Sequence, residues 1–477
     1  MLFALLDHEG TVASLPSLPN TNLPTAVDVL TDPTASSPTA YGTSTDHALE
    51  HATINDAVNV ISNAILGTQQ TVNSTNGLAL IDQLGRLPLS GIVPNVNLWA
   101  YGHNALLVPP ASATTGADVL TVTKNRLGLR TATTYAIAST RMIDVFYDLL
   151  GGYGSAVSGA TWPGGSGVFT GRPGIVLIDA EKSDFYNPTN SGGTTWGNLT
   201  TGANSQVVNY QNALTAAIAL IQSASRIESS TGTQTGTWTT NSGNFSGGSM
   251  LSTTTQGNTL TFTGVTVPSS GVLWLLGYVN TTATGDTQIS VNSSVITTAT
   301  TSGLAGASAI YSQRASSINN PSTYQPQITQ IAGLTPNSTV TVTLTKSDSS
   351  TNPINVDSIL VPAAAPPLVI VVKDNLGNNT NPVPTAPVTG WATQLTVATV
   401  NKPLLDAAIA NVTSLFNTNT QSVVTVDLGT GLSSTDLSYV TGNAPNDRGM
   451  RKFSDLLSYG IGNWSYRNDS DGLYTTL

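Results

Sequence analysis

Hydrophobic residues recur with two different periods along this chain, and the change of period divides it. Between residues 95 and 228, apolar runs of strand length alternate with helical stripes. NVNLWAYG (95–102) reads as a strand, a helix follows near 115–126 with Leu120 and Val122, and TATTYAI (131–137) is a second strand. RMIDVFYDLL (141–150) is helical, and GIVLIDA (174–180) is the nearly all-apolar strand that a parallel sheet buries on both faces. A long helix over 206–225 carries Val207, Tyr210, Leu214, Ile218 and Ile221 on one face. The same grammar resumes with the strand PLVIVVK (367–373) and the helix KPLLDAAIANVTSLF (402–416), in which Pro403 is expected at the first turn. QSVVTVD (421–427) and the helix NDRGMRKFSDLLS (446–458) close the series. Five strand-to-helix units predict a three-layer, doubly wound α/β fold with a parallel sheet.

Residues 229–363 have a different grammar. The segment is poor in charge and rich in Thr, Ser, Gly and Asn, and NTLTFTGVTV, GVLWLLGYV, TQISVN and STVTVTLT alternate or run apolar at strand length. This predicts an all-β sandwich of jelly-roll type, inserted between the two parts of the α/β fold at 95–228 and 364–460, with its ends close together. Residues 461–477 form a C-terminal tail.

The N-terminal 94 residues belong to neither pattern. Residues 1–45 are rich in Pro, Thr and Ser and read as an extended arm. In residues 46–94, His47, His51, Ile54, Val58, Ile61 and Ile65 are spaced four, three, four, three, four, which is a heptad seam. Thr45 or Asp46 caps this helix and Gly67 ends it. So short a helix needs a partner for its stripe, either its own chain or further copies of itself, and the flanking arm and linker favour a homotrimer. His47 and His51 form an i, i+4 pair of the kind that can hold a metal, but they lack a third ligand of evident spacing, so no metal site is expected.

Composition narrows the function. Only 9% of residues are charged, well below the roughly 25% of an average soluble domain. The place of charge is taken by hydroxyl and amide side chains, as in secreted sandwiches, adhesins and virion surface proteins. The net charge of −10 and the lack of any Lys/Arg cluster argue against a nucleic-acid partner. The absence of cysteine removes disulfides, thiolate metal sites and Cys nucleophiles. The opening MLFALLDHEG is too short an apolar run for a signal peptide, and no run is long enough for a membrane span. An exposed composition without an export signal points to a virion protein assembled in a host cytoplasm. No cofactor is expected.

The α/β part resembles the SGNH (GDSL-type) hydrolase family, in particular the versions carried by minor tail proteins of phages that infect actinobacteria. The resemblance implies four short blocks, each of which departs from the family pattern here. Where the family has Gly-Asp-Ser, this chain has Gly102-His103-Asn104, with Asn104 at the nucleophile position. Ala138 stands for the oxyanion-hole Gly and Ser183 for the oxyanion-hole Asn. In the last block, Thr441 replaces the Asp and Ala444 the His. All four histidines lie at or before His103, so no base is available near the C-terminus. The resemblance therefore implies a catalytically degenerate domain, a pseudoenzyme. Asp179, Glu181, Asp184 and Asp447 gather at strand ends, where paired carboxylates offer glycoside chemistry as an alternative to caps and solvent-facing groups. His103 beside Asp184 or Asp447 is a further pairing of the same kind.

In the insert, Trp274 and Tyr278 read as core, whereas Trp238, Tyr311 and Tyr324 are the candidate platforms for sugar rings. Taken together, the expectation is a structural phage tail protein of the tail tip, baseplate or fibre. It would associate with itself and other tail proteins and attach to host cell-surface glycan. The alternative is an active esterase or glycosidase that degrades the host envelope through a rearranged site.

Overall fold

The computed structural model describes, with breaks of one or two residues, residues 97–102, 119–136, 140–150, 167–168, 174–184, 198–201, 205–280, 285–299, 324–374, 391–417, 422–436 and 446–467. All of them fall in one compact unit, Asn95–Leu477. The arm and the seam of His47, His51, Ile54, Val58, Ile61 and Ile65 lie outside the described residues.

The first part of the unit contributes β1 (Asn97–Gly102), α1 (Val119–Leu127), β2 (Thr131–Thr134), α2 (Met142–Leu150), β3 (Gly167–Val168), β4 (Ile175–Asp179), α3 (Glu181–Asp184) and α4 (Gln206–Gln222). The sandwich follows as β5 (Ser223–Glu228), β6 (Thr233–Thr235), β7 (Thr239–Ser242), β8 (Ser249–Thr253), β9 (Thr259–Thr266) and β10 (Leu273–Asn280). It continues through β11 (Thr287–Val291), β12 (Ser294–Ala299), β13 (Tyr324–Ile331), β14 (Thr339–Lys346) and β15 (Ile354–Pro362). The chain then returns through β16 (Leu368–Lys373), α5 (Trp391–Asn417), β17 (Val423–Asp427), α6 (Leu428–Gly431) and α7 (Asp447–Arg467).

Among the described residues, β17, β16, β4, β1 and β2 form one sheet in that order, every pair parallel. Counted along the chain this is the order 2-1-3-4-5 of a doubly wound fold. The α/β architecture expected from the five units is therefore present, with an antiparallel sandwich inserted in it. β4 is buried at every position and β16 at all but Lys373, because helices cover both sheet faces. α1 and α7 meet on one side of the sheet; α2, α4 and α5 pack together on the other.

The sandwich is joined to that second helical layer rather than held away from it. Its larger sheet runs β13-β10-β15-β5-β3, with β8 also paired to β15 and β7 to β8; the smaller runs β12-β11-β14-β9-β6. Leu260, Phe262, Leu275, Ile289, Leu344 and Ile359 fill the space between the two sheets. The opposite face of the larger sheet carries Trp274, Leu276, Tyr278 and Leu360. These share one core with Phe146, Leu214, Ile218 and Phe416 of the helices and Val369 of the parallel sheet. The stack has five layers, and the central strands of the larger sandwich sheet are covered on both faces, while its β7 edge is exposed.

This explains α4. Its sequence suggests one apolar stripe, yet every residue from Ala213 to Gln222 is buried. Ala213, Ala216, Ala217 and Ala219 occupy the side that a stripe reading leaves to solvent, and their small side chains admit a second sheet there. The helix also ends earlier than expected, at Gln222 instead of 225. The Ser223 hydroxyl donates to the Ala219 carbonyl (2.6 Å), and the chain passes straight into β5.

A second boundary differs. α5 begins at Trp391, so Pro403 lies inside the helix and not at its first turn. A proline withholds only its own N–H, and packing on both sides of it sustains the helix. Val397 is buried before it and Leu405, Ile409 and Val412 after it. α7 starts as expected, with the Asn446 carboxamide accepting from the Gly449 N–H (3.0 Å), and runs on to Arg467.

Candidate functional site

In an open α/β sheet the ligand crevice lies beyond the carboxyl ends of the strands, where the strand order reverses. Here that point falls between β1 and β4, at the paired residues Gly102 and Asp179. Gly102 has φ +115°, and a Cβ on it would stand 1.7 Å from the Asp179 carbonyl oxygen. Only glycine permits so close an approach. Gly102 lies at the crevice, and His103 and Asn104 lie outside the described residues.

Behind the crevice the single turn α3 carries two of the expected acids. Glu181 is fully buried, and its Oε2 accepts from the Asp374 N–H at the end of β16. Burial pushes its carboxyl well above the usual range, and Lys402 offsets this only in part. Lys402 itself bridges to Asp406 (3.0 Å). Its burial favours the neutral amine, but Glu181 and Asp406 outweigh that and hold it above its ordinary value.

Asp184 serves a helix end. Its Oδ2 accepts from the Met142 N–H (2.8 Å) at the start of α2, while Asp144 Oδ2 accepts from the Arg141 N–H (2.9 Å). Two of the donors that a helix N-terminus leaves open are thus satisfied, one from within α2 and one from a distant turn. Burial pushes Asp184 up to about 7 against the opposing pull of Arg141 and the Met142 amide. Both acids at this edge are built into the fold. Among the described residues no group of three or more His, Asp or Glu side chains is arranged to hold a metal ion.

Ser183 lies in α3, with its backbone alone described. Ala138, Thr441, Ala444 and Tyr311 lie outside the described residues. Asp447 opens α7, again with its backbone alone described.

The two described aromatic candidates of the sandwich, Trp238 and Tyr324, pack inward. Trp238 is half-buried against the intersheet core, and its indole N–H donates to the carbonyls of Thr259 (3.1 Å) and Thr235 (3.3 Å). Tyr324 is not in a loop but opens β13. Its ring meets Phe245 edge-on at 5.6 Å, and its carbonyl accepts from the Tyr147 hydroxyl (3.2 Å). It belongs to the seam between sandwich and helices, which the Ser/Asn/Pro-rich sequence before it conceals. Trp274 (4% exposed) and Tyr278 (2%) are core, as the strand pattern suggests.

The seam also holds a polar network that the sequence pattern did not reveal, because SASRIE reads as the end of a helix. Arg226 pairs with Glu228 (2.9 Å), and the Ser246 hydroxyl donates to Glu228 Oε1 (2.8 Å). The Ser246 N–H (3.0 Å) and the Tyr278 hydroxyl (2.8 Å) donate to Asp357 Oδ2. Burial raises both carboxyls above their ordinary values.

No protein-family model matches the chain, and no curated protein matches it. Among solved structures, it is similar to an exo-β-1,3-galactanase from Phanerochaete chrysosporium at 21% identity and a TM-score of 0.22, over 28% of each chain. The chain thus spans little more than a quarter of that enzyme's length. A family 35 carbohydrate-binding module from Clostridium thermocellum is matched over 98% of its length and 29% of this chain, at 20% identity and a TM-score of 0.23. A family 6 module from Clostridium cellulolyticum, in complex with xylose, is matched over 96% of its length and 29% of this chain, at 18% identity and a TM-score of 0.23. The inserted sandwich is the part that resembles these modules.

Proposed function

We propose that this chain is a structural tail protein of a phage that infects actinobacteria, used for assembly and for attachment to glycan on the host surface, and that it does not hydrolyse what it binds. The observation that carries the reading is the condition of the carboxyl edge. Glu181 and Asp184, two of the acids near this edge, are engaged as a buried tie to β16 and as a helix cap. The sequence offers Asn104 in place of a serine, and no histidine beyond His103.

Attachment to sugar is supported by the outer face of the smaller sheet. Thr261 and Thr343 face each other across β9 and β14 with hydroxyls 3.3 Å apart, and Ser290 and Gln288 continue the rows on β11. Such a neutral surface of hydroxyls and amides suits a glycan better than an ionic partner.

One observation favours the second reading, an enzyme. A carboxyl held near 7, as Asp184 is, has the acidity of a general acid at neutral pH. The two readings separate on the purified full-length protein. We expect binding to an array of bacterial envelope polysaccharides, and no turnover of p-nitrophenyl acetate or p-nitrophenyl glycosides. Turnover that survives Asn104→Ala and disappears in Asp184→Asn would overturn the non-catalytic reading. Virions labelled along the tail by an antibody to the chain would support the tail assignment, and unlabelled virions would sink it.

A further inference from the structure

The outer edge of the parallel sheet is closed at both ends and open in the middle. In a strand, successive residues turn their N–H and C=O groups to opposite sides. The Ser422 carbonyl accepts from the Val369 N–H (2.8 Å), so Ser422, Val424 and Val426 face β16 while Val423, Thr425 and Asp427 face outward. Asn417, the last residue of α5, closes the first of these. Its carboxamide oxygen accepts from the Val423 N–H (3.0 Å), and its Nδ2 donates to the Val423 carbonyl (2.7 Å). At the other end the Thr430 hydroxyl donates to the Asp427 carbonyl (3.3 Å). Between them the N–H and C=O of Thr425 have no outward partner among the described residues.

A trough of about 390 Å³ lies over this gap, within the size range of small-ligand sites. Thr413 lines one wall, with its hydroxyl buried and without a hydrogen-bond partner among the described residues. On the rim stands Tyr459, 72% exposed, beside Gly460. A Cβ on Gly460 would sit 3.5 Å from Val426, an ordinary packing distance, so α7 lies against the strand here. Among the described residues no Lys or Arg lines the trough. Its carboxylate, on Asp427, already accepts from the N–H groups of Gly429 (2.8 Å) and Thr430 (3.3 Å).

We propose that this trough binds one pyranose ring of a neutral saccharide, which would place a sugar contact at the β17 edge in addition to the hydroxyl face of the sandwich. The proposal rests on the glycan-attachment reading and gives it a site. Asn417 shows what the edge accepts: an acceptor and a donor side by side, meeting one residue's N–H and C=O. Two neighbouring hydroxyls of a sugar ring make the same pair, one accepting from the Thr425 N–H and the other donating to its carbonyl. The Tyr459 ring offers a flat apolar surface to the C–H face of the sugar, and Thr413 supplies a hydroxyl. Anionic ligands find no counter-charge here. An extended peptide is disfavoured because Asn417 and Thr430 take up both ends of the edge and leave only a short stretch for a strand to add.

The test is saturation-transfer NMR on the full-length protein with galactose, glucose, mannose, arabinose and N-acetylglucosamine at millimolar concentration, and with a Thr/Val hexapeptide. Wild type is expected to transfer saturation to at least one sugar. Tyr459→Ala, an exposed change that leaves the fold intact by circular dichroism, is expected to bind it about tenfold more weakly. Thr413→Val should weaken the same sugar. Equal transfer in wild type and Tyr459→Ala would overturn the site while leaving glycan attachment standing. Transfer to the peptide alone, or to none of the sugars, would also overturn the site. The attachment reading would then stand or fall on the polysaccharide array.

Discussion

Trp274 of the sandwich lies on Phe416 of the helical layer, ring centroids 5.1 Å apart and planes at 37°. Each is buried by the other's domain, so the two domains share a core beside the sandwich's own intersheet core.

Trp274→Ala should therefore destabilise the whole unit and not the insert alone, by about 3–5 kcal/mol as large core truncations do. Denaturant unfolding followed by near-UV and far-UV circular dichroism should give a single coincident transition in wild type and variant. A separate early transition of the sandwich would show the two domains to be independent.

Stability should rise on mild acidification. Burial raises Glu181, Asp184, Glu228 and Asp357 above their ordinary values. The folded state thus holds protons that the unfolded chain releases, and stability falls as pH rises through that interval, which for Asp184 runs from about 4 to about 7. Asp348 and Asp436 have the opposite sign: Lys346 and Lys452 beside them hold their carboxyls low despite some burial, and their contribution is lost only below the usual carboxylate range. Tm should climb from pH 8 to pH 5 and drop below about 4. Asp184→Asn should flatten the slope between 5 and 7. A Tm highest at pH 8 would contradict this account.

Gly102→Ala should be among the most damaging single changes, at about 4 kcal/mol or more, since the new methyl group meets the Asp179 carbonyl and the backbone has positive φ. The midpoint of urea unfolding measures it. A shift equal to that of an ordinary surface substitution would mean that β1 and β4 separate more easily than their register suggests.

How much of this was legible follows from which residues see one neighbour and which see two. The inner parallel strands were readable because burial on both faces leaves runs such as IVLI, residues 175–178, with no polar position. α4 was read as one-sided because alanine is neutral in a hydrophobic stripe, although Ala213, Ala216 and Ala217 face a sheet. Pro403 misled because it marks helix starts more often than helix interiors. Tyr324 looked like loop because the residues before it do, while the packing that fixes it comes from Phe245 and Tyr147, far away in the chain. The trough was invisible for a similar reason: Thr413, Thr425 and Tyr459 lie in three separate elements, and what joins them is an unfilled backbone edge.

The covering of the larger sandwich sheet on both sides of its central strands has a mechanical meaning. A sandwich linked only by its two chain crossings would swing on them, and a pull on it would load two backbone segments in tension. Here the same pull is met in shear across a whole hydrophobic interface, from β10 and β13 through α4 to the parallel sheet. A body that grips a surface at one end and is anchored at the other would move as one rigid lever.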